Sequence, residues 1–75
     1  MIIELIKEAR EWLENANRHD EDWWFTKGEE SGSCLSINLK HEIARLERYY
    51  DTELLAEEIQ TAKSLRQQVE MILWG

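Results

Sequence analysis

Seventy-five residues carry sixteen acids against nine bases, for a net charge of −7. That length holds at most one domain, here 1–75, and the acidic balance argues against binding nucleic acid through its phosphates, which needs a basic face. One cysteine, Cys34, excludes an internal disulfide, and the two histidines, His19 and His41, make no zinc-type spacing with it, so a core this small must rely on efficient packing or on a partner.

The first segment is the clearest. Ile2, Leu5, Ile6, Ala9, Trp12, Leu13 and Ala16 recur at three- and four-residue intervals, the stripe of an amphipathic helix. Lys7–Glu11, Arg10–Glu14 and Glu14–Arg18 are spaced as (i, i+4) pairs on its polar side, each worth a few tenths of a kcal/mol. The helix is expected over 2–17.

Residues 18–34 have no single period. An acidic run, Asp20-Glu21-Asp22, precedes Trp23-Trp24-Phe25, and the glycines and serines of Lys27 to Ser33 mark a turn. Leu35, Ile37 and Leu39 then alternate with polar residues. Two readings stay open for 23–38: a short hairpin pairing 23–27 with 33–38, or a loop followed by a helix, the favoured one. From Leu39 the helical face resumes through Ile43, Leu46 and Tyr50, giving a second helix over 36–50. Asp51-Thr52 interrupts it and can cap a third over 52–74. That helix carries Leu54, Leu55, Ile59, Ala62, Leu65, Val69, Ile72 and Leu73 as a wide stripe. Three stripes that cannot bury themselves alone predict an all-α, antiparallel three-helix bundle.

The chemistry-bearing residue types form no recognised frame. His19-Asp20-Glu21-Asp22 has consecutive acids without the alternate ligands, central glycine and distal glutamate of a calcium loop, so it reads as a solvated acidic turn, and no metal or cofactor is expected. Cys34 lacks any nucleophile signature and reads as a small hydrophobe at the edge of the core. No catalytic residue is assigned, and the chain reads as a non-enzyme. His41, Arg45 and Arg48 make one basic row, read as mixed surface charge. Glu4, Glu8 and Glu11 make an acidic row on the first helix. An acidic face of that kind could imitate nucleic acid, but interleaved bases dilute it.

Trp23-Trp24-Phe25 is the most informative cluster, because three adjacent large aromatics cannot all point inward. Tryptophan and tyrosine are frequent anchors of binding sites. The candidate partner-binding set is therefore Trp23, Trp24, Phe25, Tyr49 and Trp74 as anchors, with Asp20, Glu21, Asp22, Glu29 and Glu30 as the steering charge. Residues 1–35 hold nine acids against four bases, so the negative potential is concentrated there. The expected function is a protein-binding regulator or inhibitor that docks on a basic surface of a partner, with nucleic-acid-handling proteins among the candidates. Compact, acidic, cofactor-free chains of this size are the profile of phage- and plasmid-borne inhibitors, anti-CRISPR proteins among them, a likeness of size and charge and not of sequence. The alternative is a structural homodimer packed through Leu55, Ile59, Ala62, Leu65, Val69 and Ile72. No signal peptide is expected from the acid-bearing start. The longest uncharged stretch, Ser31 to Leu39, is too short for a bilayer span. With a lone unpaired cysteine, these features predict a cytoplasmic protein without membrane contact.

Overall fold

The computed structural model describes residues 2–49 and 53–75 and is helical almost throughout. Helix α1 spans Ile2–Arg18. Helix α2 is one rod over 21–49, made of an α-helical start at Glu21–Trp23, a π-helical turn at Trp24–Gly28 and a long α-helical part at Glu29–Tyr49. Helix α3 spans Glu53–Trp74. The three pack into a bundle 41 Å long and 20 × 17 Å across, as the hydrophobic stripes predict. No helix among the described residues is long and apolar enough to cross a membrane.

The core is built from the predicted stripes. Ile2, Ile6, Ala9, Trp12 and Ala16 of α1 meet Leu35, Leu39, Ile43 and Leu46 of α2, together with Ile59, Ala62, Leu65 and Val69 of α3. Ala9 and Ala62 are fully buried, and Leu39 and Val69 are the largest side chains with no solvent contact. Full burial of side chains such as these stabilises the bundle by about 1.5–3 kcal/mol each. Between α2 and α3, the Ser36 hydroxyl donates to Glu70 Oε1 at 3.2 Å and Lys63 pairs with Glu47. Those contacts hold α2 and α3 side by side as two separate helices. The break itself, at Asp51-Thr52, and the inward placement of Tyr50 lie outside the described residues.

The structure corrects the reading of 18–38. There is neither a hairpin nor a loop after Asp20; α2 begins fifteen residues before its expected start at 36. Asp20 caps it, with extended backbone (φ −84°, ψ −177°) and Oδ1 accepting from the Trp23 N–H at 3.2 Å, which satisfies one of the open donors of a first turn. The turn expected at 27–33 is helix as well. Gly28 and Gly32 have no positive φ and act through their missing side chains. A Cβ on Gly28 would lie 2.5 Å from Trp23 Cζ3, and one on Gly32 would lie 2.8 Å from Trp12 Cη2. Both glycines are seats for indole rings.

A π turn follows the two adjacent tryptophans and resets their common phase relative to the rest of α2. Neighbours on an α-helix point about 100° apart, so Trp23 and Trp24 cannot both follow the Leu35/Leu39 face in regular register. The Glu29 N–H bonds to the Trp24 carbonyl, five residues back, and the wider turn accommodates one extra residue. The Thr26 hydroxyl donates to the Asp22 carbonyl at 2.7 Å, supporting the carbonyl row where the register changes.

Two smaller expectations also fail. Cys34 is exposed, not at the core edge, because it precedes Leu35 and lies off the Gly32/Leu35/Leu39 face. None of Lys7–Glu11, Arg10–Glu14 and Glu14–Arg18 closes among the described residues; exposed pairs gain little from holding two long side chains still.

An acid-rimmed aromatic end as candidate functional site

α1 ends, α2 starts and α3 finishes at one end of the bundle, where the aromatic cluster is assembled. Trp12 lies 6.1 Å from Trp23 and 5.5 Å from Trp24 between ring centroids, edge-on to Trp24, and Trp23 meets Trp24 edge-on at 5.8 Å. His19 stacks on Trp23 at 4.8 Å with the rings nearly parallel. Edge-to-face and offset arrangements follow the positive edges and negative faces of aromatic rings. Trp12 is buried, while Trp23 and Trp24 are half-buried against the core. The Trp12 Nε1–H is buried with no hydrogen-bond acceptor among the described residues.

Phe25 is different. It follows the two tryptophans outward and is 77% exposed. The sequence argument that one aromatic of the three must face solvent is met by this residue. Phe25 and Trp24 form one wall of an open groove of about 310 Å³, and Ile72 and Leu73 of α3 line it opposite them. Ile72 is 37% exposed, and beside it at the same end Met71 and Trp74 are 71% and 68% exposed. Glu21 and Glu29 line the groove too.

The charge around this end is one-sided. Asp20, Glu21, Asp22, Glu29 and Glu30 are all exposed, against Arg18 and Lys27 as the bases of the same region. Asp20 has its carboxylate partly engaged as the helix cap; Glu21 and Glu29 border the apolar groove. The four residues His19 to Asp22 are thereby split among a ring stack, a helix cap and two outward carboxylates.

Of the residues singled out in the sequence, the structure brings Asp20, Glu21, Asp22, Trp23, Trp24, Phe25, Glu29, Glu30 and Trp74 to this end. Tyr49, 70% exposed, does not join them. It lies twenty-four residues down α2 from Phe25, about 36 Å along the helix at 1.5 Å per residue. Met71 and Leu73 were not among the residues singled out for binding, and Ile72 entered only as part of the self-association stripe.

The basic row of α2 is dispersed in use. His41, Arg45 and Arg48 are exposed, and Arg45 pairs with Glu42 one turn back. Arg66 Nη2 donates to Glu70 at 2.9 Å. The α3 stripe proposed for self-association faces inward: Ile59, Ala62, Leu65 and Val69 are buried in the chain's own core. A copy could reach those four only by opening the bundle, whereas Ile72 of the same stripe is exposed.

No family model, curated protein or solved structure matches the chain.

Proposed function

We propose that this chain is a non-catalytic protein-binding module, an acidic regulator or inhibitor whose aromatic end docks on a basic surface of a partner. The observation that carries the reading is Phe25, 77% exposed beside the groove of Trp24, Ile72 and Leu73, with Glu21 and Glu29 on the rim. A single exposed ring is ordinary, whereas a contiguous apolar centre inside a polar rim is the anatomy of a binding patch. The surrounding carboxylates would speed encounter with a basic partner and make the rate fall with salt. Phe25 is the anchor of this reading. Trp23 and Trp24 support it from the core, and Trp74 extends the apolar surface. Nucleic-acid-handling proteins, which carry basic surfaces, are the partner class that the charge suits, and a small inhibitor of the kind borne by phages or plasmids is the biological form.

The test is affinity capture from a nuclease-treated lysate, comparing the wild type with Phe25→Ala and with Glu21→Lys/Glu29→Lys. A stoichiometric basic partner, kept by the wild type, weakened by salt and lost from both variants, is the expected result. An identical set of captured proteins for all three chains would overturn the reading. So would recovery of the bait alone at twice its mass.

A further inference from the structure

We infer that the groove between Trp24, Phe25, Ile72 and Leu73 takes a single apolar side chain presented on a partner helix between two basic residues, in the pattern base–x₃–apolar–x₃–base. This rests on the protein-binding reading above and names what the partner must present.

The argument starts from the two carboxylates. Glu21 and Glu29 both line the groove and stand eight residues apart on one rod, roughly 10–12 Å along it, because the π turn between them rises less per residue than a regular α-helix. Positions i−4 and i+4 of a partner helix are separated by the same eight residues, and all three positions i−4, i and i+4 lie on one face. Bases at the outer two positions would sit over Glu21 and Glu29, while the central side chain enters the space of about 310 Å³ between α2 and α3. An extended strand could match the spacing but not the backbone chemistry. The described surface here is all helix and offers no free edge to receive a strand's N–H and C=O groups, whereas a helix satisfies its own. A second copy of the chain is a poor occupant, because two molecules of net charge −7 repel and would bring five carboxylates of this end toward a mostly acidic surface.

The experiment titrates the full, isotope-labelled chain with three synthetic helical peptides followed by NMR. One carries lysine–x₃–leucine–x₃–lysine on one face, the second has both lysines replaced by glutamate, and the third has the leucine replaced by alanine. The wild-type chain is expected to bind the first peptide with shifts centred on Phe25, Ile72 and Leu73. Binding should weaken at least about tenfold for the alanine peptide and vanish for the glutamate peptide. The Glu21→Lys/Glu29→Lys chain should reverse the charge preference and bind the glutamate peptide.

Equal binding with and without leucine would overturn the inference, as would shifts centred on the Glu8/Glu11 face of α1 or a preference unchanged by the charge reversal. Concentration-dependent shifts at Phe25 and Ile72 in the peptide-free chain would assign the groove to a second copy and overturn it too. The two proposals fail separately. A captured partner that needs Phe25 and the acids, with no selectivity among the peptides, leaves the docking function and removes the base–apolar–base occupant. Selective peptide binding without any Phe25-dependent partner does the opposite.

Discussion

Replacing Gly32 by alanine sets two effects of known size against each other. Alanine is favoured over glycine inside a helix by about 0.8–1 kcal/mol, and Gly32 lies well within α2. Acting alone, that preference would stabilise the protein. The added methyl, however, would meet the Trp12 ring, with Cη2 at 2.8 Å. Trp12 cannot move aside easily: it is 8% exposed and packed against Trp23 at 6.1 Å and Trp24 at 5.5 Å. Overpacking of a closed core costs about 1–3 kcal/mol, and an enclosed ring belongs at the upper end. The steric effect wins, for a net destabilisation of about 1–2 kcal/mol. For a chain of this size that lowers the melting temperature by roughly 5–15 °C. Thermal and urea unfolding followed by circular dichroism read it directly. A rise in melting temperature for Gly32→Ala, as expected of a solvent-facing helical glycine, would refute the ring-seat argument. Gly28→Ala is the internal comparison: its clash is with Trp23, which is half-buried and can yield toward solvent, so its loss should be the smaller.

Trp24→Ala should cost about 2–3 kcal/mol, below the 3–5 kcal/mol of a fully buried ring because Trp24 is half-buried, whereas Phe25→Ala should stay within about 0.5 kcal/mol of the wild type in urea denaturation; equal losses would contradict the division between support and anchor. A double-mutant cycle on Lys63 and Glu47, whose side chains are 44% and 47% exposed, should give about 0.2–1 kcal/mol at low salt and less in concentrated salt; a larger, salt-independent coupling would mean that the pair is more enclosed than its exposure indicates. Cys34 should react with a thiol reagent in the folded protein nearly as fast as in urea, and strong protection by folding would contradict its exposure.

The bundle was legible in the sequence where the helical period ran unbroken. The stripe of α1 is buried at Ile2, Ile6, Ala9, Trp12 and Ala16, and that of α3 at Ile59, Ala62, Leu65 and Val69, because spacing alone determines which side chains share a face. The first third of α2 was not legible for two physical reasons. The π turn at Trp24–Gly28 breaks the period, so the phase of the tryptophans cannot be carried onto Leu35 and Leu39. Glycine also has two uses, backbone freedom and absence of bulk, and only the position of Trp12 and Trp23 shows which applies. One signal was present: Gly28, Gly32 and Ser36 recur every four residues, a small-residue row continuous with Leu39 and suited to receive large rings. For the candidate site, the acids and Phe25 were readable as neighbours in sequence. Their meeting with Ile72 and Leu73 was not, since it depends on how far α3 rises beside α2.

The indole cluster also makes the protein its own optical reporter. Three of its four tryptophans have ring centroids within 6.1 Å of a neighbouring indole, close enough for their electronic transitions to mix and produce a paired positive and negative band in ultraviolet circular dichroism. The sign and size of that band depend on the angles between the rings, which α1 and α2 jointly maintain. A ligand that wedges against Phe25 and tilts Trp24 would change it without any label, and a destabilised variant would lose it as the two helices part. The fourth tryptophan, Trp74, is in none of these ring pairs, so the band reports the geometry of the other three, whereas the emission sums all four.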